Sequence, residues 1–195
     1  MEGVISIGSM HKSRDPLIVG GIVGDVVDYF DASARLRVLY GNREIMAGSE
    51  LRPSQVANQP TVHITGRAGS LYTLTLMCLD QATLANGSTS IVQSKSLIQF
   101  NSSVHRLVTD IPEGGDVGHG TEVVAYERPQ PTAGIHRLAF VVFRQMAREA
   151  IYPPGWRSNF VTRDMAECYS LGALVAAAYI NCQREGSCGG QRWQG

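Results

Sequence analysis

No stretch of the 195-residue sequence is apolar for the roughly 18 residues that a membrane-spanning helix needs, so none is expected. Met1 to His11 lacks the basic start, apolar middle and small-residue cleavage site of a secretory leader. That absence points to a reducing compartment, where Cys78, Cys168, Cys182 and Cys188 are expected as thiols. Charge is scarce, at 17% of residues against a usual ~25%, and its 17 basic residues cancel its 17 acidic ones. This balance excludes a basic nucleic-acid coat, and a hydrophobic content of 44% excludes a disordered tail. Catalytic signatures are missing too. There is no G-x-S-x-G elbow, no G-x-x-x-x-G-K-[ST] loop and no H-E-x-x-H pair. Cys182 and Cys188 are too far apart for a C-x-x-C zinc knuckle, and no second pair exists. No catalytic residue, metal or cofactor is therefore expected. A Cys78 nucleophile served by His105 or His136 is formally possible, but the sequence supplies no orienting third group.

What is present reads as strands. Glycine makes up 21 of 195 residues, about 11% against a usual ~7%, and favours short strands with tight turns. Arg35 to Tyr40 alternates strictly between polar and apolar, and Gly41-Asn42 turns it into a hairpin. Further strands are expected at Thr61–Ile64, Leu71–Leu76, Arg106–Ile111, Glu122–Tyr126 and His136–Arg144. Asp15 to Val27 reads as an extended, turn-rich lead-in, Leu51 to Gln55 as a loop, and the glycine-rich Glu113 to Gly120 as a mobile loop. One helix is expected, with Thr162 as its N-cap, Asp164 in its first turn and Gly172 closing it. Leu174 to Cys182 reads as a buried strand, although its alanines also suit a helix. Residues 81–104 form a long polar excursion with no clean period. One domain spanning 1–195 is expected, mostly β, with two packed antiparallel sheets and flexible ends at 1–14 and 186–195.

Several ordered blocks resemble one family. Asp15-Pro16-Leu17-Ile18-Val19, Gly24-Asp25-Val26-Val27-Asp28, Leu51-Arg52-Pro53-Ser54-Gln55-Val56, Leu107-Val108-Thr109-Asp110-Ile111-Pro112, Pro131-Thr132-Ala133-Gly134-Ile135-His136-Arg137 and Tyr152-Pro153-Pro154-Gly155-Trp156-Arg157 look like plant phosphatidylethanolamine-binding proteins. The branch they most resemble is the florigen, FLOWERING LOCUS T-like group. The resemblance implies a large central antiparallel sheet packed on a smaller one, with a few short helices. It also implies a non-enzymatic, cytoplasmic and nuclear regulator of flowering and development. Such a protein binds 14-3-3 proteins and, through them, a bZIP transcription factor, without touching nucleic acid or spanning a membrane.

The resemblance further implies an anion pocket, which in relatives takes phospholipid head groups. His136, after Gly134, and His105 fall at its positions. Imidazoles suit that task because they donate N–H groups and charge near neutral pH. The plainer alternative for each is a histidine satisfied beside the core. Where the family carries Asp-Pro-Asp, this chain has Cys78-Leu79-Asp80, so the first carboxylate is gone and Asp80 keeps the second. Gly134 is expected to let the backbone come close.

For 14-3-3 binding the resemblance assigns Arg148 and Pro112, while His119 replaces a contact phenylalanine and Gly69, beside Arg67, replaces a contact arginine. Two matches out of four imply weakened adaptor binding, and the alternative for Arg148 is a solvated surface charge. A third set, Ser103, Glu127, Tyr152, Trp156, Ser158 and Ser170, falls where the branch separates promotion from repression of flowering. Glu127 and Trp156 match promoter-type residues, whereas Ser103 replaces a tyrosine, Ser158 a glutamine and Ser170 an asparagine. Trp156 is expected to pack beneath its loop.

Overall fold

The structure is a computed structural model that describes residues 15–80, 102–131, 134–148 and 150–184. The expected flexible ends and residues 81–101 of the expected excursion lie outside them. Among the described residues nine strands run in chain order: β1 Arg35–Tyr40, β2 Arg43–Glu44, β3 Ser49–Leu51, β4 Thr61–Thr65, β5 Leu71–Asp80, β6 Ser102–Pro112, β7 Thr121–Val124, β8 Ile135–Gln145 and β9 Ala173–Gln183. They form a three-stranded sheet, β2-β1-β4, and a six-stranded sheet, β3-β9-β8-β5-β6-β7. Two helices, α1 Pro16–Val19 and α2 Thr162–Cys168, flank the large sheet.

The large sheet is covered on both faces, and side chains of alternate residues divide between them. Leu74, Leu76 and Cys78 of β5 join Leu138, Phe140 and Val142 of β8 in a core shared with Val38, Val62 and Ile64 of the small sheet. Their neighbours Met77 and Leu79, with Ala139, Val141 and Phe143, face Ile22, Val26, Phe160, Met165 and Leu171. A strand buried on both faces favours apolar residues at successive positions, as β8 shows from Leu138 to Phe143, whereas β5 also buries Thr73 and Thr75 among its apolar residues.

The structure corrects several expectations. Asp15 to Val27 opens with a helical turn, because the Asp15 carboxylate accepts the Leu17 N–H at 2.9 Å and Pro16 occupies the first position. Leu51 ends a short strand instead of opening a loop, and β3 runs parallel to β9, so the large sheet is not wholly antiparallel. β5 continues through Met77-Cys78-Leu79-Asp80, paired with β8 throughout, and residues 102–104 of the expected excursion are strand. Glu113 to Gly120 contains a 3₁₀ turn, Val117–His119, held by buried Val117 and by the Asp116 carboxylate accepting Gly118 N–H at 2.7 Å.

Thr162 is the first helical residue of α2, preceded by Val161 at the cap. It is buried, and its hydroxyl donates to Met77 Sδ at 2.7 Å instead of capping the backbone. The helix closes at Ser170, not Gly172. Leu171 N–H reaches Ala166 O at 3.0 Å and Ser170 N–H reaches Glu167 O at 3.2 Å, the paired bonds of a Schellman stop. Ser170 therefore sits at φ +47°, where a Cβ is strained and glycine is the usual occupant. Ser170→Gly is expected to stabilise the fold by about 0.5–1 kcal/mol, raising Tm by roughly 1–4 °C for a chain this size. Calorimetry of the two proteins checks it, and an unchanged or lower Tm contradicts it.

Candidate functional site

Strand pairing decides which side chains meet at one rim of the large sheet. Cys78 lies opposite Ser103 of β6 and opposite Leu138 of β8. Residues two apart share a face, so Ser103, His105, His136 and Cys78 all look toward the small-sheet side. Asp80 is opposite His136 in the ladder. These four side chains, with Glu127, Arg128 and Gln130, line a cavity of about 350 Å³. The last three come from a strap, 125–131, tied to β6 by Glu127 N–H donating to His105 O at 2.8 Å.

The hydrogen bonds fix one tautomer. His105 Nδ1 lies 2.7 Å from the Glu127 carbonyl oxygen, which only accepts, so Nδ1 carries the proton. Nε2 of the same ring lies 3.2 Å from the Ser103 hydroxyl. Across the cavity, Cys78 Sγ lies 3.6 Å from His136 Nδ1. Glu127 at the rim pairs with Arg157 at 3.3 Å. Gly134 does not line the cavity, and a Cβ there would meet nothing within 4 Å. What requires glycine is its φ of +68° just before β8, not a close backbone approach.

The second group of expected residues gathers beside this rim. The chain around Ser158 runs against β6 as a short added ladder. Ser103 bridges Ser158, Val104 N–H donates to Arg157 O at 2.8 Å, and Ser102 Oγ donates to Phe160 O at 2.6 Å. Arg157 fastens it, donating to Ala125 O at 3.0 Å while pairing with Glu127. Tyr152 N–H reaches the Tyr169 hydroxyl at 3.4 Å, next to Ser170. Contrary to expectation, Trp156 does not pack under the loop. It is 82% exposed and, with Tyr152, lines a groove of about 670 Å³.

The third group lies at the other end of β5. Leu71 pairs with both Pro112 and Gln145, which brings three distant segments together. Arg67, Gly69, Arg144 and Gln145 share a concavity of about 430 Å³. His119 follows the Val117 turn on the same side, and a Cβ on Gly115 would meet both Pro112 and His119 Nδ1. Arg148 is exposed and pairs loosely with Asp110 at 3.9 Å.

No family model matches the chain. Pairwise comparison is more informative. The chain is 49% identical to Protein FLOWERING LOCUS T of Arabidopsis thaliana over 180 residues, covering 92% of this chain and 97% of that relative. It is 48% identical to Protein TWIN SISTER of FT of the same plant over equal shares. The chain belongs to the phosphatidylethanolamine-binding protein family. Within that family it falls in the FLOWERING LOCUS T-like branch of plant proteins. A phosphatidylethanolamine-binding protein of Plasmodium falciparum superposes with a TM-score of 0.62 at 14% identity, covering 93% of this chain and 99% of that one. That likeness concerns the fold alone.

Three contributors to this phosphatidylethanolamine-binding fold's rim were not foreseen. Arg128 and Gln130 enter the cavity only because the strap folds back on β6, which no local pattern announces. Arg157 was read as part of a loop motif, and its role as a fastener depends on β6. A carboxylate beside an imidazole favours the cation that binds phosphate, and position 78 supplies a thiol instead. Titration with inorganic phosphate at neutral pH, followed through the His136 imidazole signals by NMR, is expected to give no saturable shift. Tight saturation would contradict this.

Proposed function

We propose that this protein is a non-enzymatic regulator of flowering and development that works by docking, binding a 14-3-3 protein and through it a bZIP transcription factor, in cytoplasm and nucleus. Membership of the FLOWERING LOCUS T-like branch supports the developmental role. Among the described residues no helix is long and apolar enough to cross a membrane.

The observation that carries the docking role is the convergence of Arg67, Pro112, His119 and Arg148 at one end of the large sheet, although they come from three separate segments. A charged partner surface would find Arg148 available. Its side chain is 72% exposed, and a pair with Asp110 at 3.9 Å contributes only about 0–1 kcal/mol to the fold. His119 in place of an aromatic anchor and Gly69 in place of a cation weaken the contact relative to a full set.

A second reading, an anion or phospholipid head-group module, is favoured by the His105, His136 and Arg128 side chains meeting in one cavity. The two readings separate with one pair of variants. Arg148→Ala is expected to weaken 14-3-3 binding in calorimetric titration by about tenfold, matching one charge-assisted contact, with Tm nearly unchanged. Wild-type affinity in that variant would contradict the docking role. Head-group binding that depends on His136, with no 14-3-3 binding in the wild type, would favour the second reading.

A further inference from the structure

We propose that Cys78 is a covalent capture site for small soft electrophiles of the α,β-unsaturated carbonyl class, with His136 as its base. This inference is independent of the docking role and concerns the opposite end of β5.

Three observations converge on it. The first is a nucleophile and a base within contact, Cys78 Sγ and His136 Nδ1 at 3.6 Å, held by ladders that fix both strands. The second is room. Cys78 is only 2% exposed, yet it lines a 350 Å³ cavity, within the size range of small-molecule sites, whose rim residues Glu127, Arg128 and Gln130 are exposed. The third is the chemistry of the other walls. Arg128 and Gln130 carry N–H donors suited to a carbonyl oxygen. Ser103 Oγ lies 3.2 Å from His105 Nε2, and His105 Nδ1 faces the strap at 2.7 Å. Among the described lining residues the one carboxylate, Glu127, is paired with Arg157.

The same face supplies a contrast. Cys182 lies opposite His136 in the β8–β9 ladder but does not line the cavity, and burial pushes its thiol up to about 11. Cys168 is exposed beside the larger groove. The described residues therefore hold a thiol with a base and a cavity, a thiol outside the cavity, and a thiol open to solvent.

The step balances without a further reagent. His136 takes the thiol proton. The sulfur lone pair forms a C–S bond at the β carbon, and the C=C π pair shifts to give an enolate. The proton on His136 then passes to the α carbon. Nothing leaves and nothing is oxidised. Arg128 and Gln130 would donate to the enolate oxygen, the atom on which charge develops.

The test uses the full chain and N-ethylmaleimide, which belongs to the named class. Alkylation rates at Cys78, Cys168 and Cys182 are read by peptide mass spectrometry in native buffer and in urea. Cys78 is expected to react faster than Cys168 in the folded protein, with Cys182 silent until urea is added. His136→Gln is expected to slow Cys78 by at least about tenfold, a conservative share of the ~10²–10⁴ that a positioned base contributes. Cys168 should be unaffected. A Cys78 that stays unmodified until urea is added would overturn the proposal, as would one that reacts at the wild-type rate in the folded variant. Should His136→Gln not fold, as judged by its melt, the wild-type ratio of Cys78 to Cys168 decides alone.

Discussion

Burial of the large sheet on both faces is the constraint from which the rest follows. β5 from Leu76 to Leu79 and β8 from Leu138 to Phe143 carry apolar side chains up and down, so a slip of one residue would exchange two layers of packing at once. Their register is fixed in consequence, and so is everything attached to their ends. Cys78, Ser103, His105 and His136 meet because the ladders beneath them cannot slide. Leu71, Pro112 and Gln145 meet at the other end for the same reason.

The two ends are far apart. Seven residues of extended chain separate Leu71 from Cys78, roughly 23 Å at ~3.3 Å per residue. A small molecule in the histidine-lined cavity and a protein seated near Arg148 would therefore not touch. The groove beside Trp156 lies at the cavity's end, joined to it through Arg157 and Glu127. Arg157 thus ties the outer loop, the strap and β6 into one unit. What happens at the cavity is positioned to reach the loop more directly than the surface around Arg148.

Much of this was legible in the residues. β1 announced itself by alternation, its hairpin by Gly41-Asn42, and β4, β7 and β8 by short apolar runs ended by turn residues. The family blocks supplied the two-sheet arrangement and a set of positions that fall into three spatial groups. What stayed hidden depends on non-local partners. β3 is three residues long and exists only because β9 is beside it. The strand character of Met77 to Asp80 comes from pairing with β8, against a family pattern that places a turn there. Thr162 looks like a cap until Met77 Sδ is placed above it. The contact of Ser158 with Ser103, beside exposed Trp156, joins segments far apart in the chain. Local propensity is overridden in each case by a contact many residues away.

The order of strands carries one more implication. The six-stranded sheet has its long members inside and its shortest at the borders, three residues in β3 and four in β7. On β7 the exposed Glu122 is fixed by Arg106, which leaves a charged bump beside the outermost backbone. An incoming chain seeking to extend the sheet would find a template too brief and too polar to hold it. The architecture thereby protects a richly apolar sheet from fibrous self-association.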